Sequence, residues 1–112
     1  KKNKIMKYIL IILFFILDFS SVSTKINISK WVGEWIALDE WKSEFIISLK
    51  EDGEAISNYA DGDTGIWLIV DNNVEIKWNS GKSDFIFRGV MGLQRLHKSS
   101  QRNYTSGIKK SN

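Results

Sequence analysis

The residues best typed and spaced for chemistry are carboxylates, one histidine and a surplus of indoles. Asp61-Gly62-Asp63-Thr64-Gly65 sets two carboxylates two positions apart in a glycine loop, the clustered oxygen that calcium accepts in a flexible turn. The further acidic ligands of a calcium loop are missing, so the segment reads as a solvated turn and no metal is expected. His97 is the single histidine and cysteine is absent. A catalytic triad or a histidine metal site would lean on that one residue, which reads instead as a surface imidazole. Asp39, Glu40 and Glu44 cluster before one strand, and Asp84 follows a later loop. Glycoside hydrolysis needs two such groups at a set separation across a cleft; sequence spacing does not supply one, and soluble hairpin ends are the plainer reading. The expectation is a non-enzymatic protein without a cofactor.

Five tryptophans, six phenylalanines and three tyrosines are many for 112 residues. Trp35, Trp67 and Trp78 fall on the inward face of alternating strands and are assigned to the core. Trp31 and Trp41 fall at a strand start and in a connection, where indoles are more often exposed. An exposed indole beside a carboxylate stacks sugars or holds a cationic group, while capping a barrel end is the competing role. The expected ligand site is therefore an open end flanked by Trp31, Trp41, Tyr59, Asp61 and Asp63, taking a small ligand or a partner surface. The alternative is a structural or interaction protein of the cell envelope, associating through a sheet edge or its basic tail, with a homodimer as one form.

The elements that must position these groups are short strands. Downstream of Lys30 apolar and polar residues alternate between glycine and Asp/Asn turns. The pattern predicts an all-β antiparallel up-and-down meander of about six strands, at residues 31–38, 44–49, 55–59, 65–70, 74–79 and 85–89. Glu51-Asp52-Gly53-Glu54, Asp71-Asn72-Asn73 and Asn79-Ser80-Gly81-Lys82-Ser83 suit hairpin connections. Six strands close a barrel poorly, so either the tail pairs, through residues 93–96 or 104–108, or two copies associate. Tail pairing is the preferred expectation. The domain is placed at 24–96, and residues 97–112, basic and without clear period, read as a flexible tail.

Ahead of the domain stand Lys1, Lys2, Lys4 and Lys7, the apolar run Tyr8 to Leu17, and the small residues Ser20-Ser21-Val22-Ser23. This is the layout of a secretory signal peptide at 1–23, with Met6 as the natural start. Ten apolar residues span about 15 Å as a helix, short for a membrane crossing. The expected location is periplasmic or extracellular, with membrane contact only during export. Charge is uneven: residues 31–87 hold four lysines against twelve carboxylates, and residues 88–112 hold six basic residues and no acidic one. An acidic body repels phosphate, so no nucleic-acid partner is expected.

Gly33-Glu34-Trp35 and Gly65-Ile66-Trp67 are Gly-x-Trp units 32 residues apart, with Phe45-x-Ile47-x-Leu49 between them and Ile76-x-Trp78 after. This order resembles the lipocalin-like small extracellular domains of bacteria over about residues 31–87. The resemblance implies a small barrel or half-barrel with a ligand cavity or a structural role, usually without catalysis. With six strands the chain would fall short of a full lipocalin, and of the avidin family, whose first strand also opens with Gly-x-Trp and which also needs eight.

Overall fold

The computed structural model describes residues 28–111, so the signal peptide read at residues 1–23 lies outside the described residues. The chain divides after Lys30, and the unit from Trp31 onward carries all the strands of the described residues. They are β1 (Gly33–Leu38), β2 (Glu44–Leu49), β3 (Glu54–Ser57), β4 (Asp63–Val70), β5 (Asn73–Trp78), β6 (Ser83–Gly89), β7 (Gly92–Lys98) and β8 (Asn103–Lys110). Each pairs antiparallel with the next, and β8 returns to β1, giving a closed up-and-down barrel.

The all-β meander and the pairing of the tail are as expected, but the described residues hold eight strands, not six, and the stretch read as a flexible tail supplies the end of β7 and the whole of β8. The reason lies in the side chains that β7 and β8 turn inward. Arg95 and His97, then Tyr104 and Ser106, occupy positions where β2 and β5 carry Ile47, Leu49, Val74 and Ile76. Polar residues facing inward erase the alternation by which a half-buried strand is recognised.

Short connections follow from local chemistry. Asp71 and Asn72, both at positive φ (52° and 67°), form the two-residue turn between β4 and β5 that the right-handed twist of a hairpin favours. Gly65 is set by close approach rather than by φ: a Cβ there would stand 2.2 Å from the Lys77 carbonyl oxygen and 2.8 Å from Trp78 Cα on the paired strand. The missing side chain therefore makes room for the backbone of the paired strand β5.

Alternation of direction sorts the connections into two ends. The β2–β3, β4–β5 and β6–β7 turns lie at one end, with the start of β1. The loops at residues 39–43, 58–62, 79–82 and 99–102 lie at the other. The first end is a floor. Trp31 packs on Trp35 with ring centroids 5.6 Å apart, Trp35 Nε1 donates to the Trp31 carbonyl at 2.9 Å, and Trp67 Nε1 donates to the Lys50 carbonyl at 2.8 Å. Trp35 and Trp67 thus bury their rings while each N–H keeps a partner.

The seam between β1 and β8 is short, with three paired positions from Trp35–Lys110 to Ala37–Ile108. Beyond them side chains take over from the backbone. The Leu38 carbonyl accepts from Arg95 Nη2 and from Ser106 Oγ, each at 2.7 Å.

Candidate functional site

The loop-bearing end opens into a cavity of about 520 Å³, within the range of small-molecule sites. Phe45, Tyr59, Trp78 and Tyr104 supply aromatic walls, and Ser57, Asp63, Asp84 and His97 supply polar ones. A second depression over Trp41 and Arg102 adjoins it, sharing Tyr59, Ser80, Lys82, His97 and Tyr104.

The polar wall is a buried network. Asp84, 3% exposed, accepts from Trp78 Nε1 through Oδ2 at 2.8 Å, and from Arg95 Nη1 at 2.6 Å through Oδ1. His97 Nδ1 stands 2.8 Å from the same Oδ1. Arg95, 1% exposed, also donates to the Tyr104 hydroxyl at 3.0 Å, and its guanidinium carbon lies 5.1 and 5.3 Å from the Phe45 and Tyr104 ring centroids. Its Nε is buried without a hydrogen-bond partner among the described residues.

Burial by itself would raise the Asp84 carboxyl. The hydrogen bond from His97, the Arg95 charge and the Trp78 N–H outweigh it, so the group is held below its ordinary value of 3.8 and stays ionised. An ionised carboxylate only accepts, which assigns a proton to His97 Nδ1. The 3.4 Å approach of Arg95 Nη1 to that nitrogen is then contact, not a hydrogen bond.

The rim is tied by Asp39. Its Oδ1 accepts the amides of Trp41 and Ser43 at 2.9 and 2.8 Å, and its Oδ2 accepts the Tyr59 hydroxyl at 3.0 Å, joining the loops after β1 and β3. Burial opposes ionisation here too, but the Ser43, Tyr59 and Trp41 bonds together with the Arg95 charge hold Asp39 below the usual carboxyl range. Burial first, then the bond to Asp39, pushes the Tyr59 hydroxyl up. An exposed ion pair between Arg102 and Glu40 joins the β7–β8 loop to the β1–β2 loop.

Of the residues expected at the open end, Tyr59, Asp61 and Asp63 line the cavity, and Trp41, 71% exposed, stands on the rim. Trp31 does not belong there. It precedes β1 and lies buried at the floor against Trp35, at the opposite end, because the meander starts where the odd-numbered strands begin. Asp63 Oδ1 accepts the Thr64 amide at 2.9 Å, and its Oδ2 accepts the Ser80 hydroxyl. Among the described residues no group of three or more histidine or acidic side chains is placed to hold a metal ion.

Sequence reasoning missed the network itself. His97 is no surface imidazole but a side chain 16% exposed, and Asp84 is no solvated hairpin end. The one signal available was that Asp84, Ile86 and Arg88 alternate with Phe85 and Phe87, which puts a carboxylate on the inner face if the phenylalanines point out. Chemically the pair is a histidine oriented by a carboxylate, and among the described residues no hydroxyl bonds to its Nε2 to serve as nucleophile.

The closed, antiparallel, eight-stranded form is that of lipocalin-like barrels in general. No family model, curated protein or solved structure matches this chain.

Proposed function

We propose that this barrel is a binding module that takes one small, amphipathic molecule into the mouth between the 39–43, 58–62, 79–82 and 99–102 loops. The observation that carries the reading is the 520 Å³ cavity walled by Phe45, Trp78 and Tyr104 and backed by a paired, ionised network. Apolar rings facing solvent across an opening gain by covering themselves, and the few fixed polar groups set orientation. The leader pattern at residues 1–23 supports an exported module of the lipocalin-like kind. Asp84 and Arg95 neutralise each other and are committed to protein partners, which supports binding over turnover.

Tryptophan fluorescence tests this, because the Trp78 indole lines the cavity. Naphthalene-sized probes of about ten heavy atoms are expected to bind with dissociation constants of roughly 0.1–1 mM. Trp78→Phe should remove most of the signal while Trp41→Phe leaves most of it. A panel of neutral, cationic and anionic aromatic probes that leaves both the fluorescence and the nuclear magnetic resonance shifts of Tyr104 and Phe45 unmoved would end the proposal.

A further inference from the structure

His97 has one ring nitrogen committed and one not. Nδ1 carries the proton it donates to Asp84 Oδ1 at 2.8 Å, and no described residue bonds to Nε2, although the ring lines both the cavity and the rim depression. In the neutral imidazole Nε2 is then a fixed acceptor, since the tautomer is set by the bond at the other nitrogen. The ring is further held by Tyr104, with centroids 5.1 Å apart.

We infer that His97 is the polar anchor of the cavity, receiving at Nε2 a hydrogen bond from an N–H or O–H group of the bound molecule. The ligand class is an aromatic or alicyclic compound carrying such a donor. This rests on the cavity reading above and adds the chemistry of what the cavity selects.

The charged and titratable surroundings agree with a donor-bearing ligand. From β6 and the loop before it, Asp84 and Lys82 face the ring; Arg95 lies beside it on β7; Tyr104 and Arg102 come from β8 and its loop; Glu40 and Tyr59 stand across the rim. Arg95, buried, is committed to Asp84, whereas Arg102 is only in an exposed pair with Glu40 at the rim. Lys82 is set against Asp61 and Asp63 on the same wall. A donor group meeting Nε2 avoids the cost of leaving a desolvated acceptor without a partner, a cost that an ether or hydrocarbon of equal size incurs.

Matched probes test the assignment on the whole protein: 2-naphthol, 2-methoxynaphthalene and 2-naphthoate, titrated by calorimetry and by the nitrogen resonances of the single histidine. At a pH where those resonances report neutral imidazole, 2-naphthol should bind roughly five- to tenfold tighter than 2-methoxynaphthalene, the worth of one hydrogen bond. Its binding should shift the Nε2 resonance and not the Nδ1 resonance. At a pH where they report the protonated ring, Nε2 becomes a donor and the order should invert toward 2-naphthoate. His97→Asn is the informative variant, because its amide nitrogen occupies the place of Nδ1 and keeps a donor for Asp84 while Nε2 is deleted. It should bind all the probes with less than twofold discrimination.

Equal affinity for naphthol and methoxynaphthalene in the unaltered protein, or discrimination that survives His97→Asn, overturns the anchor while leaving the cavity standing. Preference for 2-naphthoate at neutral imidazole overturns it in favour of the rim cations Lys82 and Arg102. Binding of none of the probes fails the cavity reading itself, and the anchor falls with it.

Discussion

Asp84 and Arg95, with His97 beside them, place opposite charges on the inner face where β2 and β5 carry Ile47, Leu49, Val74 and Ile76, and the energetics decide what can be changed. Removing water from both ions costs about as much as their attraction returns, so the pair adds little net stability, but deleting one partner leaves an uncompensated charge in the core. Asp84→Asn should therefore cost roughly 3–5 kcal/mol in urea unfolding. Asp84→Asn combined with Arg95→Met should cost less than the sum of the two singles; additivity would mean that the charges do not act as a unit. The pH dependence has a definite sign. The Asp84 carboxyl is held below its ordinary value of 3.8, so its contribution is present above that value and drains away as pH falls through the lower, folded one. Acid unfolding of the unaltered protein should steepen below about pH 4, and Asp84→Asn should flatten that limb. An unchanged slope would show that other carboxylates govern it. None of this was legible from residue types alone, because an aspartate at a strand start, a basic residue and a histidine in a polar stretch each have a solvated reading, and only register makes them neighbours.

At the level of elements the strands from β1 to β6 were legible by alternation. The last two were legible only indirectly, through the need of six strands for tail pairing over residues 93–96 or 104–108, which β7 and β8 supply. Phe45, Ile47 and Leu49, or Val74, Ile76 and Trp78, announce a face by hydrophobic alternation, and the structure buries Ile47, Leu49, Val74, Ile76 and Trp78. Trp35 and Trp67 are likewise buried, as the inward assignment of their Gly-x-Trp units expected. The Gly65 position makes an element-scale prediction. With the Lys77 carbonyl 2.2 Å from where a Cβ would sit, Gly65→Ala must push β4 and β5 apart or bend one of them. The expected loss is about 1–3 kcal/mol in chemical denaturation, the usual cost of forced overpacking. A loss below a few tenths of a kcal/mol would mean the two strands yield freely. Such a shift is expected to reach the mouth, since the paired Trp78 holds Asp84 through its indole N–H. Gly65→Ala should therefore also weaken probe binding, although residue 65 does not line the cavity. Trp31 was misplaced for an element-scale reason: with the leader set aside, nothing in the local pattern says at which end of a barrel the chain enters.

Closure belongs to the whole molecule and decides between modes of association. A meander of six strands would present two edges, and an edge is a template for another chain. Here the acidic body and the basic last strand belong to one barrel, and β8 covers both edges at once by pairing with β7 over five positions and β1 over three. The β1 side is the weaker, and near the mouth it depends on the Leu38 carbonyl receiving Arg95 and Ser106. Ending the chain after Ser99 would take away β8 and with it Tyr104, Ser106 and Ile108. Arg95 would lose its bond to the Tyr104 hydroxyl and the ring over its guanidinium, while β1 and β7 would be left as open edges. Sedimentation of the intact barrel should show no association that depends on strand edges. The shortened chain should instead sediment as concentration-dependent oligomers, or fail to give a cooperative unfolding transition. Ser106→Ala alone, which deletes only one of the two seam bonds, should leave the barrel closed but raise hydrogen exchange at the Ala37 and Ile108 amides first. A shortened chain that stays monomeric and unfolds cooperatively would mean that the first seven strands close without β8. The buried arginine would then be holding the mouth rather than the seam.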